Sequence, residues 1–293
     1  MHKAGFVNIV GNPNVGKSTL MNQLVGEKIS IATFKAQTTR HRIMGIVNTE
    51  DMQIVFSDTP GVLKPNYKMQ EMMLHFSESA LADADILLYV TDVIEKPEKN
   101  SEFLEKVAKM DIPVILLINK IDESDQKTVV ELVEKWHTLL PKAEILPLSA
   151  KNKFGTDALM HRIQELLPES PAYFDKDQLT DKPAKFFVTE IIREKILRYY
   201  DKEVPYSVEV VVERFKEDEK KIHINAIIYV ERDSQKGIII GHQGQALKKV
   251  STEARKSLEK FFDKKIYLET FVKVDKDWRN SQKELSNFGY NPE

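Results

Sequence analysis

Between an apolar run, Phe6 to Val10, and a segment of helical period lie Gly11, Asn12, Pro13, Asn14, Val15, Gly16, Lys17 and Ser18, with Thr19 next. A glycine, four residues and then Gly-Lys-Ser is the spacing at which backbone N–H groups close round phosphate oxygens at the start of a helix. Lys17 would bring positive charge to the β- and γ-phosphates, and the Ser18 hydroxyl would ligate Mg²⁺. An ordinary glycine turn before a helix is the plain alternative, but it does not need all four residue types in place.

Phosphate loops serve ATPases, kinases and GTPases alike, so the base must be chosen elsewhere. Asn119-Lys120-Ile121-Asp122 follows the apolar run Val114 to Ile118, at the strand end where ligands of such folds collect. Asp122 can accept from the N1–H and exocyclic amine of guanine. Adenine offers neither, and an unpaired buried carboxylate discriminates by roughly 10⁴-fold or more. Asn119 would hold the loop and the N7 edge, Lys120 would cover the ring, and Ser149, Ala150 and Lys151 would approach O6 through backbone N–H. Guanine over adenine disfavours an ATP-dependent kinase.

Asp58, Thr59, Pro60 and Gly61 close another apolar run. Asp58 is placed to hold Mg²⁺ through water, while the Gly61 N–H meets a γ-phosphate. In the polar stretch from Lys28 to Arg40, Thr38 and Thr39 are adjacent hydroxyls, either of which could ligate Mg²⁺ when a γ-phosphate is present; Thr39 is favoured over Thr38, and a simple loop hydroxyl is the bland reading of both. The expected metal ligands are therefore Ser18, Thr39 and Asp58, and the groups expected to act on the γ-phosphate are Lys17, Thr39 and Gly61.

These residues need a scaffold, and the pattern from Phe6 to about Leu167 supplies one. Short β-rich runs alternate with longer segments of helical period, as in a parallel sheet wrapped by helices. Strands are expected at Phe6 to Val10, Arg42 to Asn48, Gln53 to Ser57, Ile86 to Thr91, Val114 to Asn119 and Ala143 to Leu148. Residues 1–168 form one α/β domain on this reading. Residues 169–183, with Pro171 and Pro183 and a charged middle directly after Pro168, have the composition of a linker. Residues 184–293 form a smaller α+β domain with a C-terminal tail.

In that second domain the pattern is α-β-β-α-α-β, with a short apolar turn ending in Ile240 before a long helix from Gln245 to Phe262. Gly241, His242, Gln243 and Gly244 lie at the junction. A Gly-x-x-Gly loop lets backbone approach a nucleic-acid strand, and the element order matches a type II KH fold, which grips roughly four nucleotides of single strand. Lys236, Lys248, Lys249 and Arg255 flank it as candidate RNA contacts with Ile240. A solvated basic helix face is the competing reading.

In this order and spacing, the five nucleotide elements resemble Ras-like GTPases. The runs Asn12 to Ser18, Gln37-Thr38-Thr39-Arg40-His41 and Asp58 to Gly61 look like the bacterial Era family, which joins such a domain to a C-terminal KH domain; the likeness spans nearly the whole chain. It implies a monomeric Ras-like P-loop GTPase that binds GTP/GDP and Mg²⁺, and that binds the 3′ end of 16S ribosomal RNA in assembly of the small (30S) ribosomal subunit. Asn14 matches an asparagine that helps hold K⁺ in related GTPases; stabilising the loop turn is its other reading. Val62 stands where Ras carries a water-orienting glutamine, so unaided hydrolysis is expected to be slow, on the order of 10⁻⁴ to 10⁻² per second. The alternative is an RNA-binding scaffold stabilised by GTP without significant turnover. Asp277-Trp278-Arg279 and Leu285 to Tyr290 look like that family's C-terminus, with Trp278 and Phe288 as packing anchors.

Composition agrees. The 293 residues are 42% hydrophobic and 30% charged, with a net charge of −2. Residues 1–182 hold 21 basic and 26 acidic side chains (−5), and 183–293 hold 22 and 19 (+3). No apolar run approaches the roughly 20 residues of a membrane span, and the N-terminus reads as a strand, not a secretory signal. With no cysteine, disulfides and thiolate zinc sites are excluded. The expected location is the cytoplasm, with any membrane association peripheral.

Overall fold

The computed structural model describes residues 2–96 and 100–291. They divide into two compact units, one built from residues 2–66 with Gln70–Asp181 and the other from Tyr67–Met69 with Lys182–Asn291.

The first unit carries β1 (Lys3–Gly11), α1 (Lys17–Val25), β2 (Ile43–Asn48), β3 (Met52–Asp58), α2 (Lys68–Ala82), β4 (Ile86–Asp92), α3 (Ser101–Ala108), β5 (Val114–Asn119), α4 (Gln126–Leu139), β6 (Glu144–Pro147) and α5 (Thr156–Leu166). Its sheet runs β2-β3-β1-β4-β5-β6. Only β2 is antiparallel to its neighbour. All seven residues of β4 are buried, as expected of a parallel strand covered on both faces. Leu87 and Tyr89 of β4, with Leu116 and Ile118 of β5, meet Phe103, Leu104 and Trp136 on one face. The strand order puts the C-terminal ends of β1, β3, β4 and β5 on one edge, and the phosphate loop, Asp58 to Gly61 and Asn119 to Asp122 begin at the ends of β1, β3 and β5.

The stretch with linker composition is hydrogen-bonded to this unit as far as Asp181. Gln53 Oε1 accepts from Tyr173 N at 2.7 Å and Phe174 N at 3.0 Å, the Lys176 ammonium donates to the Thr49 and Glu50 carbonyls at 2.7 Å, Ile46 N donates to Leu179 O at 2.8 Å, and Asp181 accepts from Met44 N at 2.8 Å. The physical reason is the free edge of β2, whose unpaired backbone groups need partners. Composition alone does not reveal that.

The second unit carries α6 (Ala184–Tyr199), β7 (Glu209–Glu217), β8 (Lys221–Val230), α7 (Asp233–Ile240), α8 (Gln245–Phe262), β9 (Lys265–Val274) and α9 (Gln282–Asn287). Its sheet is β7-β8-β9, with β7 antiparallel and β9 parallel to β8. Ile192, Ile196, Ile224, Ile228, Ala254 and Leu258 form its core. The expected apolar turn before Ile240 is instead an eight-residue helix, α7. Gly237 inside it lowers local propensity, and burial of Ile239 overrides that. Trp278 is fully buried and donates from Nε1 to Ser207 O at 3.1 Å, while Phe288 packs on both Trp278 and Tyr229. Both are packing anchors, as the sequence suggests.

Candidate nucleotide and nucleic-acid sites

The phosphate loop wraps the N-terminus of α1. Gly16 caps that helix in the left-handed region at φ 95°, and a Cβ there would lie 2.3 Å from Asn119 Nδ2, so no side chain fits. Lys17 is buried and donates to the Gly11 and Asn12 carbonyls at 3.0 and 2.8 Å. Burial lowers its pKa to about 8, against the pull of Asp58 and Glu95.

Asp58, at the end of β3, is fully buried, and burial pushes its carboxyl above the ordinary range. Its Oδ2 accepts from Ser18 at 2.7 Å, from Ser30 at 2.6 Å and from Thr39 at 3.4 Å, and Ser18 and Thr39 Oγ atoms lie 2.9 Å apart. Its Oδ1 is buried without a hydrogen-bond partner. Hydroxyl and carboxylate oxygens around an orphaned buried oxygen suit a hard cation. Among the described residues no cluster of three His, Cys, Asp or Glu could hold a metal by itself. That agrees with Mg²⁺, which is held by few protein oxygens together with phosphates and water. Thr38 faces elsewhere, bonding Thr33 Oγ1 and Lys35 O, so Thr39 is the threonine brought to the site.

Thr59 donates to Ile9 O at 2.8 Å and anchors the loop that continues through Pro60 to Gly61. Gly61 is packed so closely that a Cβ would meet Pro13 backbone at 2.7 Å. Val62 N donates to Gly11 O at 3.1 Å, and its side chain is buried with Val10 and Leu87. It points into the core, away from any attacking water.

On the base side, Asn119 Nδ2 donates to Val15 O at 2.8 Å and its Oδ1 accepts from Ala150 N at 3.0 Å, tying phosphate loop to base strip. Asp122 Oδ1 accepts from Ser149 Oγ at 2.6 Å. Of the three N–H groups expected to face O6, that of Ser149 donates to Phe154 O at 3.0 Å and that of Ala150 to Asn119, which leaves Lys151. The Lys120 ammonium is fixed on Asp92 at 2.5 Å, so its stem lies beside the cleft. The cleft, about 460 Å³, is lined by Pro13, Lys17, Ser18, Thr39, Gly61 and Lys120, with a wholly exposed Phe34 at its side. A volume in the few-hundred Å³ range suits a nucleotide.

Sequence reasoning missed Ser30, Asn22, Asp92 and the Ser149 hydroxyl. Asn22 Oδ1 accepts from Ile29 N and Ser30 N at 3.0 and 2.9 Å, and its Nδ2 donates to Ser30 O at 2.7 Å. Ser30, Asn22 and Asp92 carry no motif signal, and the motif at Ser149 points to its backbone N–H, not to its hydroxyl.

In the second unit, Gly241 (φ 71°), Gln243 (φ 48°) and Gly244 (φ 75°) hold the loop between α7 and α8 in left-handed backbone, with His242 and Gln243 exposed. Ile240 ends α7 against the core, and Lys236 is half-buried on the same helix. Lys248 and Lys249 are exposed in the first turn of α8, with the Lys249 ammonium 4.5 Å from the Tyr199 ring centroid. Arg255 is not gathered at the loop. It lies ten residues beyond Gln245, about 15 Å along the helix, and pairs with Glu259 at 2.7 Å.

The comparisons agree with this geometry. Residues 6–120 match the 50S ribosome-binding GTPase family model and residues 203–279 the KH domain model. GTPase Era of Clostridium kluyveri is 44% identical over 99% of this chain and the whole of that protein. A crystal structure of Era with MgGDPNP and nucleotides 1506–1542 of 16S ribosomal RNA superposes with TM-score 0.94 at 38% identity, covering 99% of both chains. An Aquifex aeolicus Era variant bound to GDP and aluminium fluoride gives TM-score 0.94 at 38% identity over 98% of this chain and 99% of that one. With a Ras-like nucleotide unit, a KH unit and full-length identity of this order, the chain belongs to the GTPase Era family.

Proposed function

We propose that this chain is a slow GTP-hydrolysing switch whose second unit binds single-stranded RNA at the 3′ end of 16S ribosomal RNA during small-subunit assembly. The convergence of Ser18, Ser30 and Thr39 on Asp58 carries the reading, because it links the phosphate loop, the polar loop before β2 and the end of β3 at one buried carboxylate. A γ-phosphate arriving there has the reach to order all three segments.

In hydrolysis, water attacks the γ-phosphorus in line as the bond to the β–γ bridging oxygen breaks, giving GDP and phosphate. Lys17 and the Gly61 N–H stabilise charge on the γ-phosphoryl oxygens, and Thr39, Ser18 and Asp58 would hold Mg²⁺. When bound there, Mg²⁺ would supply positive charge that offsets the charge developing on the phosphates. Asp122, oriented by Ser149, selects guanine. Asn14, left-handed at φ 67°, would supply a side-chain oxygen if K⁺ is bound, and stabilising the loop turn is its other role. Gly241, His242, Gln243 and Gly244 grip the RNA backbone, with Lys236, Ile240, Lys248 and Lys249 at its flanks. On this reading the protein is a cytoplasmic monomer, and any membrane association is peripheral; among the described residues no helix is long and apolar enough to cross a membrane.

The inward-facing Val62 favours a second reading, a GTP-stabilised RNA scaffold with no significant turnover. Fluorescence anisotropy of a labelled 16S 3′-end RNA, titrated in non-hydrolysable GTP analogue and in GDP, tests the switch. Several-fold tighter binding in the GTP analogue is expected; equal affinity in the two states contradicts it.

A further inference from the structure

Asn100 stands immediately before α3 in left-handed backbone, φ 60°, a conformation that asparagine tolerates better than most residues. Asparagine at a helix N-cap ordinarily turns its side chain onto its own helix. Here the side chain makes no cap bond. Backbone alone starts the helix, with the Asn100 carbonyl accepting from Phe103 N and Leu104 N at 3.1 and 3.2 Å. The amide Nδ2 is directed instead into the nucleotide edge, where it donates to Asn12 Oδ1 and, at 2.9 Å, to Val62 O.

Both acceptors matter. Asn12 is a buried phosphate-loop residue between Gly11 and Pro13. Val62 directly follows Gly61, and its own N–H is bonded to Gly11 O at 3.1 Å. The Val62 peptide groups are thus pinned to the phosphate loop twice, through N–H to Gly11 and through C=O by way of Asn100 to Asn12. Gly61, which abuts Pro13, is the residue that such a clamp fixes.

We propose that Asn100 is a positioning residue for GTP hydrolysis: it clamps the Gly61–Val62 segment against the phosphate loop so that the Gly61 N–H is held toward the γ-phosphate. Asn100 acts through Val62 and Asn12 and touches no nucleotide. The inference rests on the proposed role of Gly61 and adds the group that supports it. In a chain whose Val62 side chain cannot orient water, backbone position carries more of the catalysis than it would with a glutamine there.

Asn100→Gly keeps the left-handed backbone and removes the clamp, and Asn100→Asp keeps the size but replaces the donor with an acceptor. Single-turnover GTP hydrolysis and the affinities for GDP and for a GTP analogue are measured on both variants, with Gly61→Ala alongside and thermal melting as a check on folding. The expected result is single-turnover hydrolysis slowed at least about tenfold and GTP-analogue binding weakened several-fold, with GDP affinity unchanged within about twofold, Asp being worse than Gly. Equal losses for GDP and GTP analogue, or unchanged hydrolysis in both folded variants while Gly61→Ala is slow, overturn the clamp. Unchanged hydrolysis in Gly61→Ala overturns the Gly61 role itself.

Discussion

The Ser30 hydroxyl donates to Asp58 Oδ2 at 2.6 Å, and the Ser30 backbone is held on both sides by the Asn22 carboxamide. A residue of the loop before β2 is thereby built into the site that the phosphate loop and β3 share. Ser30→Ala leaves a buried carboxylate with one donor fewer, a loss of about 1–3 kcal/mol. The variant is expected to need several-fold more Mg²⁺ for half-maximal GTP binding, read by titration with a fluorescent nucleotide, with little change in Mg²⁺-free GDP binding.

Restoring a glutamine after Gly61 is not expected to restore fast hydrolysis. The Val62 side chain is only 3% exposed and packs with Val10 and Leu87. Val62→Gln puts an unpaired amide into that core, costing about 1–3 kcal/mol. The expected outcome is a melting temperature lowered by several degrees with no gain in single-turnover rate, checked by calorimetry and hydrolysis on the same preparation.

Ser30 and Asn100 mark where the sequence stops being legible. Gly11 to Ser18, Asp58 to Gly61 and Asn119 to Asp122 could be read because each motif is contiguous and sits at a strand end, so local pattern fixes both its conformation and its neighbours. The choice of Thr39 over Thr38 depends on which hydroxyl turns toward Ser18, and no local pattern fixes that. Ser30 and Asn100 reach partners 28 and 38 residues away, and polar loop residues of these types occur everywhere. Arg255 shows the same limit, since its basic character suggests RNA and only the structure places it about 15 Å along α8 from the loop, beside Glu259 at 2.7 Å. The limit also explains the segment near Gln53, whose charged, proline-bearing composition hides the bonds it makes to β2.

Base selection is expected to depend on Ser149 as well as Asp122. Asp122→Ala should weaken GDP and GTP alike by about 100-fold or more and reduce the preference over ATP. Ser149→Ala, which frees the Asp122 carboxylate from its 2.6 Å bond and removes the acceptor of the Asn152 N–H at 3.2 Å, should weaken both nucleotides by about fivefold and keep the preference. Competition binding among GDP, GTP and ATP checks both; a Ser149→Ala protein with wild-type affinity would contradict the orienting role.

Nucleotide binding should take up a proton at alkaline pH. In the free protein burial lowers the Lys17 pKa from the ordinary 10.5 to about 8, and phosphate charge raises it again. Lys17 is thus mostly charged before binding at pH 7, and roughly nine-tenths neutral at pH 9. Proton uptake is expected near zero at pH 6.5 and approaching one at pH 9, so affinity falls as pH rises above about 8. The sign reverses for folding. The unfolded chain holds the extra proton between pH 8 and 10.5, so the nucleotide-free fold gains stability from Lys17 across that window. Calorimetric titration in buffers of different ionisation enthalpy measures the uptake, which Lys17→Ala should abolish.

The most direct test of an RNA-responsive GTPase is single-turnover hydrolysis of labelled GTP with and without a short 16S 3′-end RNA, beside a Gly244→Asp variant. Gly244 has φ 75° and open space around the position of a Cβ, so the variant strains the backbone by about 1 kcal/mol and sets a negative charge where an RNA backbone would pass. Hydrolysis faster with RNA in the native protein and indifferent to RNA in Gly244→Asp is the predicted result. Tight RNA binding with no hydrolysis in any condition would contradict the switch and leave the GTP-stabilised scaffold in its place.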